Sequence, residues 1–198
     1  ATQGGVSIEN SHPFQYNEFL MMQNGGVREF NKIKKRLINY LDDDIFQWIK
    51  GQTDTQYIFA LFITLTRVMK EKKGKLNIDD LSSCLSEAFA LIEQLKKEAH
   101  IEAPSLYNLV VTNGKAMFAS RYSTQPEVET RSLHIATYAK FYTSESGYLK
   151  FEPANEDEKA VLISSEVLTE NKEHWRDVPE NHCIMVEEDL SVEIKPIQ

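Results

Sequence analysis

The chain has 198 residues, of which 41% are hydrophobic, and carries a formal net charge of −8. A chain of this length can bury a substantial core and most often forms one domain, so we expect a single domain over residues 1–198. The acidic balance argues against a nucleic-acid partner, which usually requires a basic patch, and no apolar run approaches the about 20 residues that a membrane helix needs.

The charge distribution and the cysteines narrow the class of protein further. The acidic excess is concentrated in residues 150–198, whereas residues 1–149 are balanced. The two cysteines, Cys84 and Cys183, have neither a C-x-x-C nor a zinc-ligand spacing, which favours a reducing compartment. We therefore expect a cytoplasmic protein that binds neither membranes nor nucleic acids.

The first half of the chain predicts one short strand and then a long helix. Residues 19–22 form an apolar run that stops at Asn24-Gly25-Gly26, which is typical of a buried strand entering a turn. Apolar residues then recur at steps of three and four and predict one face of an amphipathic helix. These residues are Val27, Phe30, Ile33, Leu37, Leu41, Ile45 and Trp48.

Two more helices are predicted before Pro104. The first has Thr53 or Asp54 as its N-cap and carries apolar residues at helical spacing over positions 57–69. The second has Asn77 or Asp79 as its cap and a regular apolar stripe over 78–95.

After Pro104 the pattern changes to short runs rich in Val, Ile, Tyr and Phe, which predict β-strands. The runs are SLYNLVV, AMFASRY, SLHIATYAKFY, YLKFE, KAVLISS, HCIMVEE and SVEIKPI. Asn113-Gly114 lies between two of them and predicts a hairpin. A strand, then helices, then an antiparallel meander indicates an α+β fold.

Three polar stretches can converge on a binding site: 10–14, 23–26 and 51–54. A strand that enters a glycine-rich turn at a helix N-terminus exposes backbone N–H groups, which suit an anion or an oxyanion. Two structural alternatives stay open. Asn24-Gly25-Gly26 can be a plain strand-to-helix connection that needs positive φ, and Asp54 can be only a helix cap.

The order of several short motifs resembles a known family. NSHPF, MQNGGVREF, GQTDTQYIFAL, SRY, ISSEVL and WRDVP follow one another as in the class II glutamine amidotransferases, which use an N-terminal nucleophile (Ntn). Within that family the sequence most resembles the subunit of the fungal Dug glutathione-degradation pathway that cleaves the γ-glutamyl bond. The resemblance covers nearly all 198 residues and implies a four-layer αββα sandwich, incomplete at its N-terminus.

The resemblance also implies roles for particular residues. Asn24 and Gly25 match the residues that build the oxyanion hole, and Asp54 matches the aspartate that holds the α-amino group of the glutamyl moiety. Thr2 matches a loop threonine near the substrate carboxylate, and His12 belongs to the loop beside the site. The implied reaction is hydrolysis of a γ-glutamyl amide through a cysteine thioester, without a metal or an organic cofactor.

Two parts of the implied machinery have no match in the sequence. The family nucleophile is a cysteine at the start of the mature chain, and a carboxylate-binding arginine precedes the loop that matches Thr2. We expect both to lie in a segment ahead of Ala1, so that the chain as written is inactive alone. Cys84 and Cys183 fall in a predicted helix and a late strand, where neither can replace an N-terminal nucleophile. The alternative is a non-catalytic γ-glutamyl-binding or scaffolding subunit that has lost the nucleophile.

The sequence departs from the family pattern at three places. Gln23 replaces the usual His, Thr55-Gln56 replaces Ser-Glu, and Val167 replaces the Pro of Ser-Glu-Pro-Leu. These departures leave open whether glutathione, glutamine or another γ-glutamyl compound is the substrate. The resemblance further implies a second pathway subunit with WD-repeat and metallopeptidase-like parts.

The histidines give no sign of a metal site. None of the five has an H-E-x-x-H or other metal-ligand spacing. We therefore expect no metal.

Overall fold

The computed structural model describes residues 5–145, 147, 149–153, 155, 159–169 and 172–197. In this part of the chain, α-helices pack on one face of a six-stranded sheet, and a smaller sheet packs on the other face. The predicted α+β class is confirmed.

Four α-helices form the helical layer. They are α1 (Phe30–Ile38), α2 (Asp43–Trp48), α3 (Asp54–Lys73) and α4 (Ile78–Glu98). The Thr53 side chain accepts a hydrogen bond from the N–H of Gln56 and caps α3. Asn77 and Asp80 form a reciprocal capping box at the start of α4. Both caps agree with the sequence prediction.

The single helix predicted from Val27 to Trp48 is wrong, because two helices share that apolar stripe. Tight turns follow α1, and Asp42 then adopts an extended conformation with φ −63° and ψ 145° immediately before α2. The spacing continues across the break because Ile33 and Ile45, one from each helix, are both fully buried in the same core.

The six-stranded sheet is antiparallel and has the order β1-β2-β5-β6-β11-β12. Its strands are β1 (Phe14–Tyr16), β2 (Phe19–Gln23), β5 (Leu109–Thr112), β6 (Met117–Arg121), β11 (His182–Val186) and β12 (Val192–Pro196). A separate two-stranded pair joins β3 (Gly26–Val27) to β4 (Ser105–Leu106). The Asn113-Gly114 hairpin is confirmed, although its loop covers residues 113–116 and is not a two-residue turn.

The second sheet is built around one long strand. β7 (His134–Thr143) pairs with β8 (Leu149–Pro153), β9 (Ala160–Ser164) and β10 (Arg176–Asp177), in each case antiparallel. An apolar cluster that includes Ala119, Ile135 and Ile184 fills the space between the two sheets. The larger core lies between the six-stranded sheet and the helices.

The strand register defines two ends of the six-stranded sheet. Gln23, Leu109, Ser120, Cys183 and Lys195 lie level with one another across five strands. We call this the turn end, because β2 ends there at Gln23 and enters the Asn24-Gly25 turn. We call the opposite end the hairpin end, since the 113–116 loop and the connection 187–191 both lie there.

Within the described ranges, no helix is both long and apolar enough to cross a membrane.

Candidate active site

The Asn24-Gly25 turn is held against the segment that links β4 to β5. The N–H of Asn24 donates to the Asn108 carbonyl at 2.7 Å. A Cβ on Gly25 would overlap the carbonyl oxygen of Leu106, so only glycine allows this approach. The expectation of a positive φ is wrong here: in the described part of the chain, the glycines with positive φ are Gly74, Gly114 and Gly147.

The turn does not lead directly into a helix as expected. β3 follows it, and α1 begins only at Phe30, after Glu29 in a left-handed conformation with φ 55°. The dipole of α1 therefore does not act on the turn. The helix that reaches the turn is α3, through its first residue, Asp54.

Asp54 joins the helix to the turn. Its side chain is 6% exposed, and its carboxylate accepts hydrogen bonds from the N–H groups of Val27 at 2.6 Å and Thr55 at 2.9 Å. A Cβ on Gly26 would lie 3.0 Å from Asp54 Oδ2. Thr53 is the cap of α3, so Asp54 is not a helix cap. Its hydrogen bond with Val27 instead fixes the residues that follow the turn to the start of α3.

Burial sets the electrostatics of this carboxylate. Desolvation raises the pKa of Asp54, and the N–H donors of Val27 and Thr55 oppose that rise. A carboxylate offers about four acceptor sites, so Asp54 can accept from an ammonium group in addition to the N–H groups of Val27 and Thr55.

A second contact joins the same two elements. Thr55 Oγ1 donates to Gln23 Oε1 at 2.9 Å, and Gln23 Nε2 donates to the Leu106 carbonyl at 3.1 Å. Both side chains are buried, at 9% exposure for Gln23 and 4% for Thr55. Two of the residues that depart from the family pattern are therefore direct partners.

The stretch before β1 packs against the start of α3. Asn10 Oδ1 accepts the N–H of Gln52 at 2.9 Å, and Gln56 Nε2 donates to the Glu9 carbonyl at 3.0 Å. A Cβ on Gly51 would meet Asn10 and Gln56, which explains the glycine. All three predicted stretches therefore meet at the turn end.

Of the other two predicted site residues, the structure describes His12 but not Thr2. His12 is exposed, and its ring packs edge-on against Phe14 with centroids 4.8 Å apart. Partial desolvation lowers the pKa of His12 below its ordinary value. Thr2 lies outside the described residues, and its role stays a prediction.

The sequence does not predict the role of residues 105–107, which lie between α4 and the Asn24-Gly25 turn. Lys96, 2% exposed, donates to Ser105 Oγ at 2.7 Å, and the Tyr107 hydroxyl donates to Glu93 at 2.9 Å. These bonds from α4 fix the residues on both sides of Leu106, whose carbonyl faces Gly25. The only local signal was polar residues between two apolar runs, which does not reveal a partner far away in sequence.

The two thiols lie in the core and not at the turn. Cys84 and Cys183 are 0% and 2% exposed, and burial raises the pKa of both thiols. No group of three or more His, Cys, Asp and Glu in the described ranges is arranged to hold a metal ion. A cavity of about 690 Å³ lies at the hairpin end, between residues such as Phe19, Arg67 and Lys115.

Comparison with known proteins places this geometry in a family. Residues 1–195 match the model of the class II glutamine amidotransferases. The chain is 33% identical over 195 residues to the probable glutamine amidotransferase DUG3 of Saccharomyces cerevisiae, covering 94% of this chain and 54% of that protein. It thus spans about half the length of this curated relative.

Solved structures share the fold at low sequence identity. A glutamine aminotransferase class-II domain protein from Silicibacter pomeroyi has a TM-score of 0.69 at 19% identity, covering 96% of this chain and 72% of its own. A predicted glutamine amidotransferase from Pseudomonas aeruginosa has a TM-score of 0.61 at 16% identity, with coverages of 95% and 66%. Glutamine phosphoribosylpyrophosphate amidotransferase from B. subtilis has a TM-score of 0.53 at 13% identity, covering 97% of this chain and 33% of its own. The predicted Ntn-type αββα fold class is confirmed.

Proposed function

The chain belongs to the class II glutamine amidotransferase family, and from this premise we propose that it forms the glutamyl site of a γ-glutamyl amide hydrolase. The observation that carries the proposal is the 2.6 Å hydrogen bond from Val27 N–H to Asp54. It ties the Asn24-Gly25 turn to the buried carboxylate of Asp54. One group suited to an oxyanion and one suited to an ammonium are thereby held side by side.

The proposed chemistry is acyl transfer followed by hydrolysis. The α-amino group of the N-terminal cysteine takes the thiol proton, the thiolate attacks the γ-carbonyl carbon, and the amine leaves with that proton. Water then adds to the thioester carbonyl, which releases glutamate and restores the thiol. The side-chain amide of Asn24 and the N–H of Gly25 would donate to the oxyanion that forms at each addition step. Both residues are exposed and can meet a substrate.

We place the nucleophile outside the 198 residues. Thiolate formation is opposed at both Cys84 and Cys183, because burial raises the pKa of each thiol. Neither sulfur atom is accessible to a substrate at the turn.

The glutamyl head group would be held by its charges. The ionised carboxylate of Asp54 would accept from the α-ammonium group, which is a charge-assisted hydrogen bond. Thr2 near the α-carboxylate and His12 beside the site complete the proposed set. Glutathione is the proposed substrate because of the resemblance to the fungal glutathione-degrading branch, with glutamine and other γ-glutamyl amides as alternatives.

The test is glutamate release by the full-length gene product from glutathione, glutamine and a third γ-glutamyl amide. We expect turnover of at least one of them, with accumulation of a hydroxylamine-sensitive acyl-enzyme. Glutamate binding without turnover of any of the three would contradict the hydrolase and support the non-catalytic binding subunit. Co-purification with a WD-repeat or metallopeptidase-like protein would test the proposed second subunit.

A further inference from the structure

We propose that Gln23 and Thr55 are positioning residues that lock the Asn24-Gly25 turn onto the N-terminus of α3. The inference deepens the proposed function and rests on it. Neither residue is assigned a substrate contact. Their effect would be to keep the oxyanion donors at a fixed distance from Asp54.

Gln23 is placed to control the turn directly. It is the last residue of β2 and precedes Asn24 in the chain. Its amide is used on both sides, since Oε1 accepts from Thr55 at 2.9 Å and Nε2 donates to Leu106 at 3.1 Å. The same Leu106 carbonyl faces Gly25. A shift of the Gln23 side chain would therefore be felt at both ends of the Asn24-Gly25 pair.

Thr55 completes the attachment from the helix side. Its hydroxyl binds Gln23, and its N–H donates to Asp54. Asp54 in turn accepts from Val27, four residues after Gln23. Asp54 and Thr55 thus form hydrogen bonds with the two ends of the five-residue segment 23–27. The segment and the N-terminus of α3 therefore form one closed hydrogen-bonded ring.

The energetics favour a rigid ring. Both side chains are buried, so breaking their mutual hydrogen bond would leave polar atoms without a partner in a region that excludes water. Catalysis by preorganised donors depends on geometry of this kind, because a misplacement of about 1 Å can reduce the rate by about 10²-fold.

The family pattern supplies a conservative variant. An imidazole also carries one donor and one acceptor, so a histidine at position 23 can accept from Thr55 while donating to Leu106. Leucine at the same position fills similar space but can do neither. Gln15, an exposed glutamine in β1 on the same sheet, offers a matched control site.

The experiment compares Gln23→Leu, Thr55→Val, the double variant, Gln23→His and Gln15→Leu in the full-length gene product. We expect kcat to fall about 10- to 100-fold in both single variants, while the Kd for glutamate stays within about threefold, since Asp54 remains. The double variant should be no slower than Gln23→Leu alone, because the side-chain bond that Thr55→Val removes is already absent in Gln23→Leu. Gln23→His should restore kcat, and Gln15→Leu should leave it unchanged.

Hydrogen exchange at the Val27 amide gives a readout that needs no activity. The lock predicts faster exchange at Val27 in Gln23→Leu, with exchange within α4 unchanged. A kcat within threefold of the parent, or a kcat loss that tracks only the unfolded fraction, would overturn the positioning role. A parent without any hydrolase activity would overturn the proposed function instead, and unchanged Val27 exchange would then overturn the lock as well.

Discussion

The two ends of the six-stranded sheet hold their charged groups in different ways. At the hairpin end, Arg67 binds Asp44 at 2.6 Å and Lys115 binds Glu188 at 2.9 Å. The Asp44 and Glu188 side chains are 61% and 70% exposed in these pairs. At the turn end, by contrast, Asp54 is 6% exposed and accepts backbone N–H groups from two elements.

The cavity and the more rigidly held polar groups are therefore at opposite ends of the sheet. The hairpin end has a cavity of about 690 Å³, but its ion pairs, such as Lys115–Glu188, lie largely in solvent, where water and salt screen them. The turn end fixes its polar groups by buried hydrogen bonds, which is what a site for a developing charge requires. The turn end is therefore the place where we propose that the chemistry occurs.

The two aspartates show the same contrast in their pKa values. Burial raises the pKa of Asp54. At the hairpin end, the hydrogen bond from Arg67 lowers the pKa of Asp44 to about 2. The environment of Asp54 therefore disfavours the ionised form, whereas the environment of Asp44 stabilises it.

The largest effect is expected for Asn24→Ala. Removing one oxyanion donor typically lowers kcat by about 10² to 10³, or about 2.7–4 kcal/mol, so we expect a loss of this size in the full-length gene product with normal glutamate binding. Asn113→Ala is the matched control, since Asn113 also precedes a glycine but lies at the hairpin end. A kcat within about twofold of the parent for Asn24→Ala would leave the turn with a structural role only.

A smaller effect is expected for Asp54→Asn. The charge-assisted hydrogen bond to an ammonium group is worth about 1.5–3 kcal/mol, so glutamate binding should weaken by about tenfold or more. The measurement is calorimetric Kd, with Asp44→Asn as the control that should bind like the parent. Equal affinities for Asp54→Asn and the parent, with the fold intact, would contradict the binding role.

Gly25→Ala should act through stability as well as through rate. The added Cβ would overlap the Leu106 carbonyl, and overpacking of this kind costs about 1–3 kcal/mol in the free energy of unfolding. Gly5→Ala is a suitable control, because a Cβ there meets nothing within 4 Å. Denaturant midpoints that do not differ between these two variants would show that the turn does not press on the β4–β5 segment.

The smallest effect, and the one with opposite signs at the two ends, is the pH dependence of stability. Asp44 has a lowered pKa, so its stabilising contribution is lost as the pH falls through the range between its ordinary value and about 2. Asp54 has a raised pKa, so stability is lost as the pH rises from its ordinary value through the raised one.

Unfolding free energies measured against pH for Asp44→Asn and Asp54→Asn test this contrast. As the pH falls, the parent should lose stability relative to Asp44→Asn and gain stability relative to Asp54→Asn. Slopes of the same sign in both comparisons would contradict the assignment.

Local signals predicted much of the fold, and long-range contacts explain the rest. The sequence predicts each helix cap to within two candidates, Thr53 or Asp54 and Asn77 or Asp79, because a cap acts within three residues. The structure shows Thr53 and Asn77 as the caps. The break between α1 and α2 was missed because one core buries both helices and keeps the apolar spacing regular. The short strands β1, β3 and β10 were also missed: β3 and β10 pair with partners distant in sequence, and β1, a three-residue strand next to β2, has no apolar run of its own. The run SLYNLVV, predicted as one strand, is divided into β4 and β5.

The candidate site divides in the same way. The resemblance to the family led to Asn24, Gly25 and Asp54, and the structure brings these residues together. The reason for glycine at position 25 is the Leu106 carbonyl, 81 residues further along the chain, and not a local φ requirement. The Gln23–Thr55 contact spans 32 residues, so no window of sequence reveals it.

The amide signals of the two sheet ends report where glutamate binds. L-glutamate is titrated into the ¹⁵N-labelled full-length gene product while the backbone amide signals of both ends are followed, in the parent and in Asp54→Asn. We expect saturable shifts at Asn24, Gly25 and Val27 that are weakened in the variant, while the signals of Gly114 and Lys115 do not move. Shifts confined to the hairpin end, or shifts at the turn that Asp54→Asn leaves unchanged, would contradict this expectation.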